Sequence, residues 1–153
     1  MFDLARALLG EVKYAQFLGL YNDRSTKDKP TVICGGLSPR DFFIHISEKV
    51  CKPLFGEQYF GERFIELVEP GVTTVVTDGG FPNEVRPMLD AGHQVVIVRL
   101  FRSGYDFSKD SRRYLNEQDF SDLPSFRSPR FLDVELVDGQ PYKAADYIFD
   151  KVG

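Results

Sequence analysis

Residues 72–100 read VTTVVTDGGFPNEVRPMLDAGHQVVIVRL, and the interpretation of this stretch decides the fold. Residues 72–77 are β-branched throughout, and residues 93–100 hold a second apolar run rich in β-branched residues. Short runs of this type, without polar alternation, predict strands covered on both faces. Between them, Pro82 suits the first position of a helix and Glu84 lies in its first turn. Val85, Met88 and Leu89 recur at helical spacing, and Gly92 suits the position just past the helix end. Strand, helix and strand with tight links predict a βαβ unit. Residues 72–77 and 93–100 are then expected to pair directly, in parallel, with a right-handed crossover.

The flanking sequence extends this picture. Leu4, Leu8, Val12 and Ala15 recur at helical spacing, so residues 4–20 predict a first helix. Residues 21–37 are polar, then carry Pro30 and Gly35-Gly36, and predict a loop. Ser38 is a good helix cap, Pro39 fits the first turn, and Asp41 follows the cap by three positions. Phe42, Ile46 and Val50 form one face of that helix, which Pro53 is expected to stop. A further helix is expected over residues 57–69, ending at Pro70-Gly71. Beyond the βαβ unit, residues 101–130 form a long polar stretch with Arg102, Arg112, Arg113, Arg127 and Arg130, expected to be a lid-like loop region. The chain closes with LDVELV (132–137), a turn at Asp138-Gly139 and a helix over 141–151. No repeat, low-complexity tract or linker divides it. The expectation is one domain, residues 1–153, of small three-layer α/β architecture: a mostly parallel sheet with helices on both faces.

Composition narrows the function classes. With 42% hydrophobic and 27% charged residues, the chain reads as a soluble globular domain. No apolar run approaches the roughly 18 residues of a membrane span, and the acidic, amphipathic start does not read as a signal peptide. Cys34 and Cys51 follow no metal-ligand spacing, which points to a reducing, cytoplasmic compartment. The net charge of −4 argues against broad nucleic-acid binding. Among the cations, eleven arginines outnumber eight lysines, and guanidinium forks match phosphate oxygens.

Three clusters could carry chemistry. Asp78-Gly79-Gly80 follows an expected buried strand, where open α/β sheets bind ligands. The carboxylate could hold magnesium, and the glycines would let backbone approach a ligand closely, although Asp and Gly are also common in plain turns. Arg40 lies in the first turn of a capped helix, where a phosphate meets both a guanidinium and the positive end of the helix dipole; a solvated surface arginine is the alternative. Arg99, Arg102, Arg112 and Arg113 flank a flexible segment that reads either as a lid over phosphates or as an irregular surface loop.

In their order and spacing these pieces resemble the phage deoxynucleoside monophosphate kinases, a family of P-loop fold. The matching text is Ala5–Val12, Asp23-Arg24 with Lys27, Ser38–Arg40, Asp78 with Phe81–Glu84, and Asp110–Tyr114, covering roughly residues 5–115. The resemblance implies that Arg40 and Arg63 hold the acceptor monophosphate, with Gly79, Gly80 and Glu84 at the same substrate site. It places Asp78 near magnesium and makes Arg99, Arg102 and Arg112 cations of the lid or transfer site. Where many relatives carry an arginine before FPNE, this chain has Gly80, so that arginine's role does not carry over.

A larger departure concerns the donor phosphates. The family cradles them in a G-x-x-x-x-G-K-[ST] loop. None of the thirteen glycines here is followed by lysine, and Gly56–Gly61 repeats the glycine spacing only to continue with Glu62-Arg63. The chain thus looks like a kinase without its first strand and P-loop. Three readings follow. One is a nucleotide-binding protein with little or no kinase activity. Another is an active kinase whose phosphate site is rebuilt or supplied by a partner, a homodimer included. The third is a phage protein that reuses the scaffold to bind a host protein in the host cytoplasm. Magnesium is expected only with a bound nucleotide.

Overall fold

The computed structural model describes residues 1–77, 79–107 and 113–152. The chain is mixed helix and strand, and it divides into two compact units, Met1–Tyr59 and Phe60–Gly153.

The first unit is helical. Helix α1 (Phe2–Asn22) is broken at Gly10, whose φ of 70° and ψ of 164° lie where only glycine is comfortable. The break changes which residues are buried. Ala5 and Phe17 are fully buried, whereas Leu8 (63% exposed) and Val12 (76% exposed) lie in solvent, so the expected stripe is not the packed face. Phe17 is the hub of an aromatic cluster, with ring centroids 5.1 Å from Phe43 and 5.8 Å from both Tyr21 and Phe42. Helix α2 (Pro39–His45) starts as the sequence predicts. The Asp41 amide donates to Ser38 Oγ at 3.0 Å, and the Ser38 hydroxyl donates back to the Asp41 carboxylate at 2.6 Å. Pro53 does not stop it. A π-helical segment, Ile46–Cys51, leads into α3 (Lys52–Phe55), and the helical path ends instead at Gly56, with φ 100°. Proline lacks an amide and its ring crowds the carbonyl four residues back; the wider π turn directly before Pro53 relieves that conflict.

The second unit holds the sheet. Helix α4 spans Tyr59–Ile65, shorter at both ends than expected. Helix α5 (Pro82–Asp90) buries Val85 and Leu89, and it closes as predicted. Gly92, with φ 84°, donates to Leu89 O, and His93 donates to Met88 O, both at 3.0 Å. Strand β1 (Val96–Phe101) falls in the second predicted run, but its parallel partner is β2 (Arg130–Glu135), in register from Val96↔Arg130 to Phe101↔Glu135. The expected strand at residues 72–77 is absent: the run is unpaired and every residue is exposed, Val75 at 71%. Ladder geometry gives a reason. Val95 O and Phe101 O accept from Arg130 and Leu136 amides, so the odd-numbered residues of β1 face β2. The even-numbered ones face the opposite edge, where the Tyr114 hydroxyl already donates to Leu100 O at 2.7 Å.

The core of this unit is Val85, Leu89, Leu115 and Phe120, packed against Val95, Ile97, Leu123 and Phe131. Leu115 and Phe120 come from the stretch read as a lid. There Asn116 caps a short 3-10 helix, Glu117–Phe120, in a reciprocal capping box with Asp119. Helix α6 (Pro141–Val152) contacts β2. No helix among the described residues is long and apolar enough to cross a membrane.

Candidate functional site

The strongest local arrangement is the shoulder where loop 23–29 meets the start of α2. The loop is built from within: the Ser25 amide donates to the Asp23 carboxylate at 2.8 Å, which holds that carboxyl below its usual range, and Thr26 Oγ1 donates to Leu20 O at 2.8 Å. The Lys27 ammonium sits 4.1 Å from the Tyr21 ring centroid, a cation–π contact that fixes the loop to α1. Two bonds then join the loop to α2. The Arg40 amide donates to Lys27 O at 3.2 Å, and Arg40 Nε donates to the Asp28 carboxylate at 2.6 Å. Arg40 and Asp28 are both well exposed, at 47% and 61% of their side chains. Two of the short sequence matches, Asp23-Arg24 with Lys27 and Ser38–Arg40, are therefore neighbours in space.

The remaining candidates belong to the second unit, where Arg63, Arg99, Arg102 and Arg113 each have a carboxylate partner. Arg63 on α4 donates to both oxygens of Glu66 at 2.6 and 2.7 Å. Arg99 on β1 grips its cross-strand partner Asp133 through two bonds, at 2.5 and 2.9 Å, which raise its pKa further. Arg99 also donates to Leu115 O at 3.4 Å, lies 3.9 Å from Glu117 and covers the Phe131 ring, and its side chain is only 18% exposed. Arg102 pairs with Asp138 at 2.7 Å and stacks over Tyr105 at 4.1 Å. Arg113, beside the expected lid, donates to both carboxylate oxygens of Asp119, which also accepts from the Asn116 amide. These bonds, the arginine's first, hold the Asp119 carboxyl below its usual range.

Gly79 and Gly80 precede α5, and Glu84 occupies its first turn, half-buried. Gly61 of α4 rests against α5 so closely that a Cβ there would lie 2.6 Å from Glu84 O. Asp78 and Arg112 lie outside the described residues, as do Asp110 and Ser111. Among the described residues no group of three or more His, Cys, Asp or Glu side chains converges to hold a metal ion.

Sequence reasoning missed the acidic partners. Asp28, Asp133 and Asp138 each lie twelve or more positions from the arginine they bind. The only available signal was the excess of 23 acidic over 19 basic residues, which predicts that cations find carboxylates without saying which. No family model, curated protein or solved structure matches the chain.

Proposed function

We propose that this chain is a nucleotide kinase-like protein that binds a deoxynucleoside monophosphate at the Arg40 shoulder and transfers little or no phosphate. The observation that carries the reading is the docking of loop 23–29 on the first turn of α2, which brings Lys27 and Arg40 to one surface beside a capped helix start. A phosphate arriving there competes with Asp28 for Arg40. Releasing Arg40 costs little, because an exposed ion pair contributes only about 0–1 kcal/mol. The guanidinium can also grip two phosphate oxygens at once.

Weak transfer follows from the sequence. Phosphoryl transfer depends on positioning and charge stabilisation, and within these 153 residues no glycine precedes a lysine to build a donor cradle. The proposed protein has a three-layer, nucleoside monophosphate kinase-like architecture and works in the cytoplasm, the host's if phage-encoded. Magnesium would arrive with a nucleotide.

The test combines calorimetric titration with deoxynucleoside monophosphates and a coupled assay with ATP and magnesium. The expected result is saturable monophosphate binding with trace phosphate transfer. Turnover on the order of 1 per second, as in working kinases, would make the chain an active kinase. Absence of binding by any monophosphate would refute the nucleotide reading.

A further inference from the structure

Helix α1 is a hinged pair rather than one rod. The ring centroid of Phe2 lies 5.7 Å from that of Tyr21 and 4.9 Å from that of Phe43. In an unbroken helix, Phe2 and Tyr21 would stand roughly 28 Å apart along the axis, at 1.5 Å per residue. The turn at Gly10 therefore folds residues 2–9 back along residues 11–22, where Ala5 becomes fully buried. A clasp holds the fold: Arg6 donates to both carboxylate oxygens of Glu11, at 2.8 and 3.0 Å. Positions five apart lie roughly 140° around an unbroken helix, so this pairing belongs to the bent state.

The sequence also carries the pattern of a straight state. On a continuous helix, Leu4, Leu8, Val12 and Ala15 would fall within roughly 80° of one another. In the bent form Leu8 and Val12 are exposed, and the stripe is broken between them. We propose that residues 2–9 are an exchangeable arm. Swung out at Gly10, the arm continues α1 as one helix and seats Phe2 and Ala5 on the Tyr21–Phe43 surface of a second copy of this chain. The partner is a second copy because that surface is the one the arm already occupies; exchange keeps the aromatic contacts of Phe2 and the burial of Ala5, gives up the Arg6–Glu11 clasp, and aligns the apolar stripe. Exchange of an identical element is a low-cost route to a dimer, and short hinges invite it.

Gly10→Ala tests the hinge. A Cβ there meets nothing within 4 Å, so the substitution acts on the backbone alone, and alanine strongly disfavours that conformation. Sedimentation equilibrium should show the dimer dissociation constant falling about a hundredfold relative to wild type, the effect of roughly 1.4 kcal/mol of strain relieved in each of the two chains. Phe2→Cys with Tyr21→Cys, bridged by a short bismaleimide, locates the arm, because the native Cys34 and Cys51 are buried. The bridge should form within one chain in the otherwise wild-type protein and between chains with Gly10→Ala. If Gly10→Ala does not fold, Arg6→Gln opens the exposed clasp instead and should strengthen the dimer several-fold. A folded variant with the wild-type dissociation constant and a bridge within one chain would overturn the proposal.

Discussion

Arg40 and Arg99 were both expected to meet phosphate, and their surroundings could hardly differ more. Arg99 lies across the sheet, held by two bonds to Asp133, near Glu117 and the Leu115 carbonyl, and over the Phe131 ring. Moving it would strand Asp133 beside a partly covered aromatic surface. Arg40 has one carboxylate partner on a solvent-facing loop, and its backbone is fixed by the Ser38 cap whatever its side chain does. An arginine can recruit a ligand when its backbone is rigid and its guanidinium is cheaply released. By that criterion the proposed site draws on Arg40 and not on Arg99.

The largest expected effect tests whether the second unit takes part in recognition. Gly61→Ala would put a methyl 2.6 Å from Glu84 O and 2.9 Å from Pro87 Cγ, which neither backbone nor ring can easily yield. Overpacking of this kind costs about 1–3 kcal/mol, so chemical denaturation of the second unit should move to lower denaturant while monophosphate affinity stays at the wild-type value. A matching loss of affinity would draw Arg63 and Glu84 into the site.

Arg99→Ala comes next. It should lower stability by about 1–2 kcal/mol, because it leaves the carboxylate of Asp133 without its cross-strand partner. Thermal unfolding with and without monophosphate would show the loss, and the ligand-induced shift should be unchanged. A loss of that shift with little change in the unfolding midpoint would make Arg99 a ligand residue and dissolve the contrast with Arg40.

The smallest effect sharpens the comparison from the other side. Asp28→Asn removes the carboxylate that competes for Arg40 and leaves the loop backbone intact. Monophosphate should then bind a few-fold more tightly, matching the under 1 kcal/mol of an exposed pair. Weaker binding would mean that Asp28 positions Arg40 rather than competing with the ligand.

Features fixed within a few residues were legible in the sequence. The Ser38 cap, the Pro82 start and Gly92 end of α5, and the closing helix all depend on neighbours along the chain, and all appear where expected. Strand pairing is not local in this sense. Residues 72–77 have as strong a β composition as residues 93–100, but a strand exists only if an edge accepts it, and β1 took β2 from the far end of the chain. Similarly, the periodicity of Leu4, Leu8, Val12 and Ala15 runs through Gly10 without revealing that the backbone turns there. The arginines were legible as cations, but their meaning rests on partners such as Asp28 and Asp133 that no spacing rule identifies.

The most direct measurement is a calorimetric titration of wild type, Arg40→Ala and Arg99→Ala, side by side, with a panel of deoxynucleoside monophosphates. Arg40→Ala should weaken binding roughly ten- to a hundredfold, the value of one charge-assisted hydrogen bond, with an unchanged unfolding midpoint because the Ser38 cap remains; Arg99→Ala should bind as wild type does. Equal affinities for wild type and Arg40→Ala would contradict the account.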